Sequence, residues 1–240
     1  MKIIKVKNYE ELSQKAAQLV AKLMHKKPDA TLGLATGSTP IGLYKQLIAM
    51  NQEGLISFQQ IKTYNLDEYC DLPQSHPQSY YSFMHEHLFD HIDILEENVH
   101  LPECECGDLQ AAVDKYNQML KKTTIDLQVL GIGRNGHIGF NEPHTPFDQE
   151  TFIVRLEEKT RIDNQRFFNS LDEVPKRAIT MGIKNIMAAK RILLLISGKS
   201  KAETVKKLIT SEPSPDFPAS VLKYHKKVTV IIDEEAASLL

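Results

Sequence analysis

Asn135, His137 and Glu142 lie within eight residues of one another, on a stretch punctuated by Gly133, Gly136 and Gly139. An imidazole titrates near neutrality, and a neighbouring carboxylate can hold its tautomer and raise its basicity. A lone histidine is more often a hydrogen-bonded structural residue, but this one has an amide and a carboxylate placed to orient it. Asp67 and Glu68 close an apolar run and offer further acid. Taken alone, Asp67 reads as a turn-forming residue. Two other segments, Thr36-Gly37-Ser38-Thr39 and Ser197-Gly198-Lys199-Ser200-Lys201, are small-residue turns that open onto helical sequence. Such turns let a backbone approach an anion, and the helix start adds unpaired N–H groups and the positive end of its dipole. Gly-Ser-Thr-Pro alone also fits a plain turn with Thr39 as the helix cap. The second turn, with its two lysines, favours phosphate. Neither has the G-x-x-x-x-G-K-[ST] spacing of a nucleotide-hydrolysing loop, so a phosphorylated small metabolite fits better than ATP.

Two other chemistries are less well served. Gly131-Ile-Gly133-Arg-Asn-Gly136 matches G-x-G-x-x-G and follows a strand, but Gly139 and Pro143 break the helix that a dinucleotide fingerprint requires. Nine histidines invite a metal. His85 and His87 point about 200° apart on a helix, and no H-E-x-x-H spacing occurs. Catalysis without metal or cofactor is expected. Tyr80, Tyr81 and Phe83 read as packing residues.

These segments need elements to bring them together. Lys2–Val6 reads as a strand, and Asn8 with Glu11 as a capping box for the helix that follows. Thr31–Ala35, Ile61–Leu66, Asp126–Gly131, Arg191–Ile196 and Val228–Asp233 read as further strands. Helical spacing is expected from Pro40 at a first helical position to Met50, over Ser79–Phe89 and Asp108–Leu120, from Ser197-Gly198 to about Ile209, and in a closing turn at Glu234–Leu240. Strands alternating with helices of 10–15 residues predict an α/β chain: one domain over residues 1–240, with a mainly parallel, doubly wound, Rossmann-like sheet. Ligands of such sheets bind outside the carboxyl ends of the strands. That places Thr36–Thr39, Asp67, the 133–142 loop and Ser197–Lys201 on one rim. Residues 141–174, with Pro143, Pro146 and a possible strand at Thr151–Leu156, interrupt the alternation and read as an excursion over the sheet, a candidate lid.

Composition sets the outer bounds. There are 29 basic and 31 acidic residues, a formal charge of −2, which argues against a nucleic-acid partner that would need a cationic surplus. The apolar run Ile192–Ile196 is far short of the ~20 residues that span a bilayer, and the amino-terminal residues carry no signal-peptide core. Cys70, Cys104 and Cys106 are odd in number, and Cys104 and Cys106 sit too close for an ordinary disulfide, so a reduced, cytoplasmic setting is expected. The sequence favours neither a monomer nor a homo-oligomer.

LATGSTP (34–40), NLDEY (65–69), LGIGRNGHIGFNEP (130–143), TRIDNQRFF (160–168), AITMGI (178–183) and SGKSKA (197–202) together resemble the glucosamine-6-phosphate deaminase family, in order and spacing from about Thr31 to Asp233. The resemblance implies conversion of glucosamine 6-phosphate and water to fructose 6-phosphate and ammonia. It implies Asp67 as the enolisation base and His137 as the ring-opening group, supported by Asn135 and Glu142. Phosphate contacts are implied at Thr36, Gly37, Ser38, Thr39, Arg166 and Lys201. Arg166 is the one member of that set not otherwise expected on the rim, and by itself it reads as a solvated surface charge. Many family members carry Asp where this chain has Asn135. An amide can orient the imidazole but cannot stabilise its cation by charge, which leaves that task to Glu142. Rival readings are a lactonase or isomerase acting on another sugar phosphate, and a sugar-phosphate effector-binding module.

Overall fold

Alternate residues of the most apolar strand point to opposite sides of a sheet, and both sides are covered. The computed structural model describes residues 1–105, 107–156, 161–162, 165, 168 and 170–240. Its strands are β1 (Lys2–Val6), β2 (Thr31–Leu34), β3 (Lys62–Asn65), β4 (Asp67–Tyr69), β5 (Val99–His100), β6 (Leu127–Leu130), β7 (Phe152–Arg155), β8 (Arg177–Thr180), β9 (Ile192–Ile196) and β10 (Val228–Asp233). Seven of these form a wholly parallel sheet in the order β1-β10-β9-β6-β2-β3-β5. Leu193 and Leu195 of β9 pack with residues of α1 (Tyr9–Lys26), α2 (Ser38–Gln52) and α3 (Tyr80–His87). Ile192, Leu194 and Ile196 pack on the other side with Tyr116 of α4 (Leu109–Lys122), Ile183 and Ile186 of α5 (Ile183–Met187), and Val205 and Leu208 of α6 (Ala202–Thr210). The two-residue period of a strand, with both faces buried, is why β9 is apolar throughout.

The topology creates the crevice. From β2 the chain moves outward through β3 to β5, then returns to β6 on the other side of β2 and proceeds through β9 and β10. The direction reverses between β2 and β6, the position where open α/β sheets bind ligands. The strands that lead into the polar segments, β9, β6, β2 and β3, are consecutive in the sheet, and because all are parallel their carboxyl ends share one edge.

Several expectations are corrected. α2 begins at Ser38, so Pro40 is its third residue, and Gly37, not Thr39, is the cap. Gly37 has φ 95°, a left-handed conformation open to glycine, which lets the chain enter the helix early. At α1, Asn8 Oδ1 accepts from Glu11 N (3.0 Å), but Glu11 Oε2 accepts from Lys7 N (2.8 Å), one residue before the usual partner. Glu234–Leu240 forms turns held by Asp233, whose Oδ1 accepts from Ala236 N and whose carbonyl accepts from Ala237 N. The 141–174 segment is not a free excursion. Its strand β7 pairs antiparallel with β8, which pairs antiparallel with β4, giving a second sheet of order β4-β8-β7. The chain crosses between sheets at Leu66, whose N–H donates to Leu34 O (3.1 Å) and whose carbonyl accepts from Met181 N (2.7 Å). Among the described residues, no helix is long and apolar enough to cross a membrane.

Candidate active site

Asp67 is the first residue of β4, paired with Thr180 of β8, and it is buried. Desolvation, with Glu68 adding to it, pushes its carboxyl up to about 8. A carboxyl in that range holds its proton near neutrality yet can release it to become a strong base. A methyl group at Gly139 would sit 3.3 Å from Asp67 Oδ2, so the acid lies directly against the loop that follows β6.

In that loop a carboxylate divides its two oxygens. Asn135 Nδ2 donates to Glu142 Oε2 at 2.6 Å, while Glu142 Oε1 lies 3.3 Å from His137 Nδ1. The second distance is that of an ion pair, not of a formed hydrogen bond. Asn135 Oδ1 in turn accepts from the His137 backbone N–H at 3.2 Å. The amide therefore orients both partners and leaves the charge to Glu142. No helix follows the G-x-G-x-x-G run; Gly133 N donates to His137 O (2.9 Å), closing a tight loop. Gly133 leaves room for the imidazole in its present position: a Cβ there would come within 2.2 Å of His137 Cε1. The His137 side chain is 31% exposed while that of Glu142 is 11% exposed, so the imidazole is presented to the crevice and its partner lies behind it.

Glu68, beside Asp67, has a different task. Its carboxylate accepts from Tyr69 N (2.7 Å), Tyr80 N (2.9 Å) and Tyr81 N (2.8 Å), capping the start of α3 from across the chain. Burial pushes Glu68 up to about 7 against the pull of those three N–H groups. Tyr80 does more than the packing that its sequence context predicts. Its ring does stack on Phe140 (8° between planes) and lies against Tyr69, but its hydroxyl also donates to Tyr69 Oη (3.3 Å) and faces the Thr36 side chain. This hydroxyl joins the turn after β2 to the strand of Asp67. Only its chemical type, a phenol among apolar neighbours, hints at this in the sequence.

Thr36–Thr39 fit an anion cradle. Gly37 supplies no side-chain cap to α2, and Gly37 and Ser38 are exposed. Tyr9 Oη holds the turn from behind by accepting from Gly42 N (2.8 Å) and donating to the Ser38 carbonyl (3.0 Å). The second turn differs. Gly198 N and Ser197 Oγ already donate to the Asp233 carboxylate, and Lys199 N donates to Glu235 Oε2 (3.3 Å). Its amides are neutralised by the chain's own acids, and what it offers to the rim is Lys201, whose Nζ donates to Ile132 O at 2.7 Å. Arg166 lies outside the described residues. Among the described residues, no group of three or more His, Cys, Asp or Glu is gathered as a metal would need. Two cavities of about 610 Å³ and 540 Å³ open elsewhere, one beside Asp71 and Arg177, the other at the amino ends of β1, β9 and β10.

The structure thus brings Asp67, Asn135, His137, Glu142, Thr36–Thr39 and Lys201 to one edge. A family model described as glucosamine-6-phosphate isomerases/6-phosphogluconolactonase matches residues 6–231. A protein of Thermoanaerobacter sp. (strain X514) described as glucosamine-6-phosphate deaminase is 53% identical over 241 residues, covering 100% of this chain and 95% of that one. Glucosamine-6-phosphate deaminase 1 of Bacillus subtilis (strain 168) is 53% identical over 240 residues, covering 100% and 99%. A solved structure described as a monomeric glucosamine-6-phosphate deaminase superposes with a TM-score of 0.97 at 53% identity, covering 100% of both chains. A 6-phosphogluconolactonase from Trypanosoma cruzi, 20% identical, has a TM-score of 0.79 over 100% of this chain and 96% of that one, a likeness of fold.

Proposed function

The chain belongs to the family of glucosamine-6-phosphate isomerases and 6-phosphogluconolactonases, and from that premise we propose that it converts glucosamine 6-phosphate and water to fructose 6-phosphate and ammonia in amino-sugar catabolism. It acts in the cytoplasm on a small-molecule substrate, with no nucleic-acid or membrane partner. The observation that carries this reading is the buried Asp67 carboxyl set against the loop that holds the His137–Glu142 pair. Full-length identity of 53% to proteins described as glucosamine-6-phosphate deaminases supports it.

The chemistry follows from the residue types. Phosphate binding at Thr36–Thr39 and Lys201, with Arg166 as a further contact, anchors the sugar away from its reacting carbons, so that binding energy is available for orientation. His137 moves a proton between the anomeric hydroxyl and the ring oxygen and opens the pyranose, held in register by Glu142 and Asn135. Ionised Asp67 then removes the C2 proton. The C–H electrons form the C1–C2 double bond while the C1 oxygen gains a proton, giving an enolamine. Protonation at C1 returns those electrons and leaves an iminium at C2. Water adds there, and the protonated amine departs as ammonia to leave the ketose. A coupled assay for ammonia and fructose 6-phosphate tests the proposal. Equimolar formation of both from glucosamine 6-phosphate, abolished in Asp67→Asn, is expected. No ammonia, or turnover of a sugar-phosphate lactone in its place, would overturn it.

A further inference from the structure

The strand that carries Asp67 ends beside a pair of thiols. Cys70 directly follows β4 and is half-buried, Cys104 is buried, and both are free. Thirty-four positions apart in the chain, their sulfurs lie 3.5 Å apart, and the Cys104 thiol also donates to the Glu68 carbonyl at 3.7 Å. The sequence spacing points away from any bridge, because only Cys104 and Cys106 are near neighbours in the chain; Cys106 lies outside the described residues.

We propose that Cys70 and Cys104 are a reversible disulfide site through which peroxide oxidation slows the enzyme. The geometry supplies the argument. A bridge needs the sulfurs at about 2.05 Å, so they must close by about 1.5 Å from their present separation. Cys104 is packed with Ala112, Val113 and Ile179, and half-buried Cys70 packs against the same cluster, so the movement is shared between the two ends. The part taken up at Cys70 reaches the chain three residues from Asp67, on the same extended segment. There the chain is otherwise held by Cys70 N donating to Arg177 O (2.9 Å) and by the Asp71–Arg177 pair (2.8 Å). The bridge also removes the thiol proton that Cys104 gives to the Glu68 carbonyl, next to Asp67.

The chemistry is that of a peroxide and two thiols. The Cys70 thiolate, the more accessible of the two, attacks one peroxide oxygen; the O–O bond breaks, and a sulfenic acid and hydroxide form. Cys104 sulfur then attacks Cys70 sulfur, the S–O bond breaks, and hydroxide leaves. The hydroxides take the two thiol protons. In sum the thiols lose two electrons and two protons, and hydrogen peroxide is reduced to two waters. The hydrogen bond to Cys70 and burial raise the Cys104 thiol, which leaves the first attack on peroxide to Cys70.

The effect on turnover rests on the role proposed for Asp67; the formation of the bridge does not. The test is to expose the reduced full-length enzyme to hydrogen peroxide, trap remaining thiols with N-ethylmaleimide, and map peptides by mass spectrometry alongside kcat. The expected result is a peptide pair joining Cys70 to Cys104, lighter by two hydrogens, with kcat about tenfold lower and restored by dithiothreitol. Cys70→Ser and Cys104→Ala should each lose the cross-link and keep kcat under peroxide, while Cys106→Ser should behave as the parent. Cys70→Ser replaces the less buried thiol and keeps the test available should Cys104→Ala fold poorly. Both thiols remaining alkylatable, or a bridged enzyme with unchanged kcat, would overturn the proposal. Failure of the Asp67 assignment is recognised separately, as an active Asp67→Asn variant in which the cross-link still maps.

Discussion

Asp67→Asn should make the protein inactive and, at alkaline pH, more stable. The folded chain holds the Asp67 carboxyl at about 8 against an ordinary 3.8. At about 1.4 kcal/mol for each tenfold, ionising this group inside the fold costs on the order of 6 kcal/mol, a ceiling that water reaching the site reduces toward ~3 kcal/mol. Between those two pH values the unfolded chain has released its proton while the folded chain keeps it. The unfolded state then binds fewer protons, and stability falls as pH rises. The cost is absent below about pH 4 and complete above about pH 8. Asparagine has no such charge to bury. Urea denaturation at about pH 4.5 and pH 9 measures the outcome. The variant should gain on its parent by about 3 kcal/mol between those conditions, a relative shift in midpoint of roughly 1 M. Any fixed cost of burying an amide cancels in that comparison. A stability difference that does not change with pH would refute the reasoning. The same carboxyl must be ionised to act as a base, so kcat/KM of the parent should rise toward pH 8, opposite in sense to its stability.

Glu142→Gln should lower kcat by about 10²-fold, because the imidazole loses its only charged partner among the described residues, while Asn135→Ala should cost about tenfold or less; steady-state kinetics of the two variants give the order, and the reverse order refutes the division of roles. Glu68→Ala should strand two N–H groups at the start of α3 and that of Tyr69 on β4, and destabilise the fold by about 3–5 kcal/mol, seen as a thermal midpoint lower by roughly 10 °C. Gly133→Ala should swing the imidazole out of place and reduce kcat by at least about tenfold with little change in melting, since the partly exposed ring has room to move; steady-state kinetics and thermal melting of the purified variant measure both.

Much of this arrangement is legible in one dimension. The run Ile192–Ile196 announces a strand buried on both faces, and parallel strands necessarily bring their following loops to one edge, so the strand order of residue types alone groups Thr36, Asp67, His137 and Lys201. What escapes reading is short or distant. β4, β5 and β8 have three, two and four residues, too few for periodicity to declare itself, and the β4-β8-β7 sheet exists only through partners far apart in sequence. The capture of Gly198 N by Asp233 and the capping of α3 by Glu68 are likewise long-range bonds that no local propensity encodes. So is the approach of Cys70 to Cys104.

An incoming sugar meets Asp67 as a neutral acid, because burial has already withheld its charge. In the reaction proposed above, an amino sugar brings an ammonium group at C2 to that acid, and such a cation favours release of the carboxyl proton to solvent. On the role proposed for Asp67, the ligand thereby arms its own base. A sugar phosphate with a hydroxyl at the same carbon brings no such cation and leaves Asp67 protonated. On that reading, discrimination between the two requires no pocket that grips nitrogen more tightly than oxygen; it follows from the protonation state of one side chain.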